Sequence, residues 1–318
     1  MLLHRIIDVI VPIHEAHEEL VACLASVQKH SGDYRLILID DGSTDERIGM
    51  LFRRFSAARL SNIVLLRNAR ELGFAATANR GMAFSRNDVV LLSSDTTVTH
   101  AWLDKMRRCA ASDSRIGTIT PFSNNAEICS FPQPFRNNPA PDDPELINRA
   151  MELAAVPIYP DIPTAVGFCT FIRRRLIREI GLFHHVPPGL GEEQKDFSMR
   201  AREAGYRNVL CDDTFVGHQG AHALWSQRQG MGQKNRVNAS AMHAAYAELV
   251  REFIERDPVK PIRSMVCSQV AVLVNRAKPG ILHVLHPRGG GTEKYVGDLI
   301  AASRDDCRHY LFRILHDR

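Results

Sequence analysis

The sequence predicts an α/β protein: one mainly parallel sheet flanked by helices. Three observations carry this. Strand and helix signals alternate through roughly the first 120 residues. Short apolar runs end in carboxylates or turn residues, as buried strands do. No apolar stretch approaches the roughly 18 residues of a membrane span.

Taken in order, Ile6 to Val11 is a short apolar run ending at Pro12. From Glu18 to Lys29, Leu20, Cys23, Leu24 and Val27 recur at helical spacing. Tyr34 to Ile39 is strand-like, and the turn-rich Asp40-Asp41-Gly42-Ser43-Thr44-Asp45 precedes a helix. A third strand covers Ile63 to Leu66, a helix Phe74 to Phe84, and a fourth strand Asp88 to Leu92. Thr99 is a candidate cap for the next helix, and Ile116 to Thr120 closes the series. From about Pro121 to Pro163 prolines and paired asparagines break the pattern, with a single helix expected near Pro144 to Val156. A strand-like Val166 to Ile172 and a short basic helix, Arg173 to Ile180, follow. The loop Pro187 to Leu190 leads into GEEQKDFSMRAREAGY, whose latter part is helical. Asn208 to Leu210 and Phe215 to Val216 read as two short extended pieces, and Lys234 to Glu255 as a long helix. The tail, Ile281 to Leu285 and then HPRGGGTEKYVGDL, reads as strand, glycine-rich turn and helix.

Bulk properties limit the function classes. The 318 residues suggest about two domains, and 45% apolar with 24% charged residues is a globular composition. A formal charge of +4 is no nucleic-acid footprint. Seven scattered cysteines with no C-x-x-C pair argue for a reducing compartment and against a zinc site. Asp8 and Pro12 interrupt the N-terminal apolar run too early for a signal peptide. A cytoplasmic protein is the expectation.

Ligands of parallel sheets bind beyond the carboxyl ends of the strands, where Asp40-Asp41 and Asp95 fall. Asp40-Asp41-Gly42-Ser43 is either an Asp-Gly turn with a capping hydroxyl or a base reader, Asp40 accepting the imide N–H of uracil, thymine or guanine. The stretch VVLLSSDTTV delivers one carboxylate, Asp95, at a strand tip. Asp95 either caps a helix or joins a diphosphate in holding a hard cation. His218 is a further ligand candidate better suited to Mn²⁺ than to Mg²⁺, and otherwise a structural histidine. Glu192, Glu193 and Asp196 either favour a helix N-terminus or crowd one another into a general base.

That order of residues, with the text between, resembles a family 2 glycosyltransferase of the GT-A fold, in the bacterial surface-polysaccharide, rhamnosyltransferase-like group. The matching stretches are DVIVPIHEA, LILIDDGSTD, LGFAATANRGM, VVLLSSDTTVTHAWLDKM, GFCTFIRRRLIREIGLF, GEEQKDFSMRAREAGYRNVL and DDTFVGHQG, over about residues 6 to 222. The resemblance implies an inverting transfer of a sugar from a UDP- or dTDP-linked donor to a hydroxyl of a saccharide or lipid-linked saccharide. It implies that Pro12, Ile13, His14, Glu15, Asp40, Asp41, Gly73, Asn79, Gly81 and Ser94 serve the nucleotide. Asp95 and His218 would hold Mn²⁺ or Mg²⁺, and Glu193 would be the base, with Glu192 and Asp196 as alternatives.

Three departures stand out. The metal motif reads Ser93-Ser94-Asp95, without its first carboxylate. Two residues, Gln194 and Lys195, separate Glu193 from Asp196 where relatives have one, so alignment from Asp196 puts Gln194 at the base position. Glu15 and His14 replace asparagine and tyrosine. The Gln/Arg-Arg-Trp motif of processive relatives is missing, which implies single or limited additions. The implied domains are 1–258 (nucleotide-sugar half to about 120, acceptor half beyond), a linker at 259–278, and at 279–318 the truncated start of a family 4, GT-B-like unit. Peripheral attachment to the inner membrane face is an expectation, and no nucleic-acid partner is expected. The rival reading is a nucleotide-sugar-binding module or fragment without turnover. A nucleotidyltransferase fits less well, because VPIHEAHEEL holds no glycine-rich phosphate loop.

Overall fold

A computed structural model describes residues 6–154, 156–184, 192–220, 243, 245–277, 279–285 and 291–313. The expected loop 187–190 lies outside them, as do residues 234–242 and 244 of the long helix expected over 234–255.

Continuous apolar runs make the central strands. These are β1 (Ile7–Ile13), β2 (Tyr34–Asp40), β3 (Ile63–Arg67) and β4 (Val89–Leu92), with β1 and β4 buried throughout. Between them run α1 (His17–His30), α2 (Glu46–Ala58) and α3 (Phe74–Phe84). Next come β5 (Thr96–Val98), α4 (Trp102–Ser112), β6 (Ile116–Phe122) and α5 (Pro144–Ala154). The chain continues with β7 (Cys169–Ile172), α6 (Arg174–Ile180), α7 (Glu192–Glu203) and β8 (Arg207–His218). Last are α8 (Tyr246–Arg256), α9 (Lys260–Ala277), β9 (Gly280–Leu285), α10 (Gly291–Ser303) and β10 (Arg308–Arg313).

The sheet has eight strands in the order β3-β2-β1-β4-β7-β6-β8-β5. Its first four strands are parallel, as expected. The far side is more mixed: β7 runs antiparallel to both β4 and β6, and β5 antiparallel to β8. Helices cover both faces, and two buried clusters fill the space between. One gathers Val9, Val11, Leu38, Trp102, Phe122 and Phe215; the other Ile10, Ile39, Met82, Leu176 and Phe197.

Three sequence expectations need correction. Thr99 caps no helix, because its hydroxyl donates to the Phe215 carbonyl, tying β5 to β8. The two extended pieces after residue 207 form one strand of 12 residues. The polar Asp212-Asp213 that seemed to divide them is buried and satisfied by the backbone N–H groups of Ile158 and Tyr159 and by Arg108. Residues 259–278, expected as a linker, hold helix α9, which packs on α5. Val259, Ile262 and Val266 are buried, with Val270 and Leu273 packed beside them, a helical stripe facing the core.

Residues 279–313 form a small strand–helix–strand unit whose two strands pair in parallel, Gly280 opposite Arg308 through Leu285 opposite Arg313. Among the described residues, no helix is long and apolar enough to cross a membrane.

Candidate active site

The first site residues lie at the carboxyl ends of β1 and β2. Asp40 is buried; its carboxylate accepts the Ser43 N–H at 2.8 Å and pairs with Arg67 Nε at 3.0 Å. Asp41 organises the neighbouring loop, accepting from the Asn68 side chain and from the backbone N–H groups of Leu72 and Gly73. The turn after Asp41 needs Gly42, at φ +70°, because a β-carbon there would stand 2.6 Å from the Arg70 carbonyl carbon.

Glu15, itself at φ 56°, reaches across to accept from the Thr44 N–H, the Thr44 hydroxyl and the Asp45 N–H. Burial pushes its carboxyl up, but those hydrogen bonds and the nearby His14 outweigh it and hold the group below its ordinary value. His14 faces the Asp41 carbonyl at 3.2 Å. The residues Pro12 to Glu15 thus border the Asp40-Asp41 turn, Pro12 and Ile13 as buried ends of β1.

Two other residues of the expected nucleotide set have packing roles. Asn79 exchanges two hydrogen bonds with the Phe183 backbone, donating to its carbonyl at 2.9 Å and accepting its N–H at 3.0 Å. Gly81 lies against Ile10 and Ile39, where a β-carbon would come within 2.6 Å of a methyl group. Gly73, at φ +92°, starts α3 and donates to Asp41.

The sheet register makes the second part of the site. Thr96 stands opposite His218 in the antiparallel β5–β8 pair, so Asp95 arrives beside the end of β8. His218 Nε2 lies 3.5 Å from Asp95 Oδ1, and both side chains are largely buried. The Ser93 hydroxyl also donates to Asp95 Oδ1, and Ser94 beside it is buried. The other ring nitrogen, Nδ1, is 2.7 Å from the Asn125 carbonyl. A carbonyl only accepts, so Nδ1 carries a proton and Nε2 is the nitrogen turned to Asp95. Asn124 fixes the backbone of His218 through a reciprocal pair of 2.9 Å bonds, and Phe168 stacks on the ring at 5.4 Å. Burial disfavours the charged ring, but Asp95 and the Asn125 carbonyl raise its pKa overall.

This donor set fits a divalent cation. One carboxylate and one imidazole, oriented by its second nitrogen, lie together and are residue types that would hold such an ion. Among the described residues no cluster of three or more His, Cys, Asp or Glu side chains is arranged for a metal. With only these two side chains, an ion held here would leave positions for phosphate oxygens, as Mg²⁺ and Mn²⁺ sites commonly do.

The third part is the start of α7. Glu193 is 9% exposed, and burial, with Glu192 adding to it, pushes its carboxyl up to about 7. Glu192 pairs with Lys195 at 3.3 Å. Asp196 has both oxygens committed, to Arg200, His184 and His243. Gln194, which alignment from Asp196 puts at the base position, packs tightly on Gly167: a β-carbon there would stand 2.4 Å from its amide oxygen. The next residue, Phe168, is the one stacked on His218, and its carbonyl accepts the Ser93 N–H at 2.8 Å. The glycine of VGFCTF was the only sequence signal for this approach.

Residues 8–181, more than half of the chain, match the model of glycosyl transferase family 2. The chain belongs to that family. No curated protein matches this family 2 glycosyltransferase. Solved structures share its fold. GalNAc-T7, solved with UDP, GalNAc and Mn²⁺, is 16% identical with a TM-score of 0.53, over 67% of this chain and 44% of its own. The mannosyltransferase PcManGT from Pyrobaculum calidifontis, solved with GDP-Man and Mn²⁺, is 14% identical with a TM-score of 0.55, over 95% of this chain and 81% of its own. The family 2 chain thus spans less than half the length of the first of these.

Proposed function

We propose that this glycosyltransferase moves a sugar, with inversion, from a nucleoside-diphosphate donor to a hydroxyl of a saccharide or lipid-linked saccharide. The UDP- or dTDP-linked donors are the ones the sequence favours, and surface polysaccharide synthesis is the setting. The observation that carries the reading is the Asp95–His218 pair at the strand ends, with the imidazole oriented by Asn125.

In this reading the turn at Asp40-Asp41 and the neighbouring Pro12 to Glu15 seat the nucleoside, and Gly73 and Ser94 border it. Asp95 and His218 hold Mn²⁺ or Mg²⁺, which when bound offsets negative charge on the diphosphate leaving group. Glu193 accepts the acceptor hydroxyl proton as that oxygen attacks the anomeric carbon from the opposite face; its raised pKa suits a base acting near neutrality. Asp40 already holds Ser43 and Arg67, so it meets a base edge only through remaining lone pairs or by releasing Arg67. Peripheral association with the inner membrane face accompanies a lipid-linked acceptor.

Gln194 favours a second reading, donor binding without turnover, because its amide, which takes no proton, packs on the segment that touches His218. The residues after 279 belong to the proposal only as the opening of a second nucleotide-binding-type unit.

Calorimetric titration of UDP, dTDP and GDP, with Mn²⁺ and with EDTA, tests the donor site. One nucleotide should bind with Mn²⁺, and binding should weaken at least about tenfold in Asp95→Ala or after chelation, a loss of about 1.4 kcal/mol. Equal binding by wild type and Asp95→Ala would remove the metal role. Turnover of that nucleotide's sugar conjugates, lost in Glu193→Gln, separates the catalytic reading from the binding-only one.

A further inference from the structure

We infer that His184 and His243 are positioning residues that clamp Asp196 and thereby hold helix α7, with Glu192, Glu193 and Gln194 on its first turn, in its working register. This rests on the proposed role of Glu193, and the experiment below separates the two.

Asp196 is buried, and three cationic or donor groups converge on it. Arg200 Nε lies 2.8 Å and His184 Nδ1 3.1 Å from Oδ2, while His243 Nε2 lies 3.0 Å from Oδ1. A carboxylate with both oxygens engaged in this way is a poor proton acceptor for substrate and a good anchor. The anchor extends outward. The other two Arg200 nitrogens donate to the carbonyls of Ile180 and Leu182, at 2.8 and 2.9 Å. Phe183, between Leu182 and His184, is the residue doubly bonded by Asn79 of α3. It also meets Phe197 of α7 edge-on at 5.2 Å and stacks on Phe74 of α3 at 6.4 Å. Segment 180–184 is therefore stapled to α3 on one side and to α7 on the other.

His243 adds a second level. Its Nδ1 is 3.0 Å from Glu203 Oε1, so one imidazole bridges two carboxylates seven residues apart, on the same face of α7. A brace spanning two turns resists the rotation of about 100° per residue that would carry Glu193 away from the site. The groups facing the bridge are Asp196 and Glu203, with Arg200 and His184 on the far oxygen of Asp196. His243 is 9% exposed and His184 55%, so solvent weakens the His184 contact more and His243 is the dominant clamp.

The experiment uses the full chain and the variants His243→Ala, His184→Ala and His243→Gln. The readouts are peptide-resolved hydrogen exchange, calorimetry with Mn²⁺ and whichever of UDP, dTDP or GDP binds wild type, and hydrolysis of that nucleotide's glucose conjugate. In His243→Ala, exchange over residues 192–203 should rise about tenfold or more while β1, β2 and β4 stay protected. Nucleotide affinity should hold within about twofold, and kcat should fall about tenfold or more with KM unchanged. His184→Ala should show a smaller effect, and His243→Gln, which retains a donor for Asp196, an intermediate one. Unchanged exchange over 192–203, or a rise spread equally over the sheet, overturns the clamp. A fall in affinity as large as the fall in kcat does so too. Failure of any nucleotide to bind wild type overturns the functional reading, and the exchange data then decide the clamp on their own.

Discussion

Glu193 is the residue whose environment makes the sharpest demands. Burial lifts its carboxyl from the ordinary 4.5 to about 7. If it is the base, log kcat/KM should rise with unit slope below about pH 7 and level off above it, and Glu193→Gln should lose about 10²–10⁴ in rate and the pH dependence. The same shift has a thermodynamic side. Between pH 4.5 and about 7 the native state keeps a proton that the unfolded chain has released, so stability falls as pH rises through that window. The loss is at most about 3 kcal/mol, and glutamine avoids it. Melting curves should therefore show Glu193→Gln gaining a few degrees over wild type at pH 8 and little at pH 4. An equal difference at both values would mean that burial is not what raises the carboxyl.

At the scale of elements, β1 depends on a charge as much as on its apolar residues. Asp8 is fully buried and accepts from Arg35 at 3.0 and 2.6 Å, from the Ser85 hydroxyl and from the Asn87 amide. Asp8→Ala leaves the Arg35 guanidinium and two polar groups without their acceptor, so urea denaturation should show a loss of about 3–5 kcal/mol. A loss under about 1 kcal/mol would mean that Arg35 turns to solvent at no cost.

Elements also differ in how far the sequence disclosed them. Strands β1, β2 and β4 were readable because their apolar runs are continuous, and α3 because its periodicity is clean. Strand β5 was not: Thr96-Thr97-Val98 is too short and too polar to signal a strand, and only its pairing with β8 makes it one. Asp95 and His218 were legible as residue types suited to a cation, but their meeting depends on that pairing. Asn79 bonds a backbone 104 residues away in sequence, a partner that no local pattern encodes. The same holds for Gln194, whose contact with Gly167 comes from helix docking.

For the whole molecule, helix α9 makes residues beyond the expected domain boundary part of the main core. Val266 is fully buried in that cluster. Val266→Asp buries an unpaired charge there and should lower the melting temperature of the protein as one transition, at a cost of about 3 kcal/mol or more. Independent melting of a smaller, separate unit in calorimetry would show that α9 folds apart from the sheet.

The antiparallel pairing of β5 with β8 also bears on how the chain acquires its activity. Asp95 and His218 are brought together only when a strand centred more than a hundred residues downstream has docked, a contact of long sequence separation. Contacts of this kind form late, because loop closure must come before they stabilise anything. During synthesis, a ribosome-bound chain exposing β1 to β4 already has the Asp40-Asp41 turn but not the His218 side of the pair. Metal-dependent nucleotide capture by stalled nascent chains should therefore switch on only after His218 has left the exit tunnel, a timer for completion of the sheet.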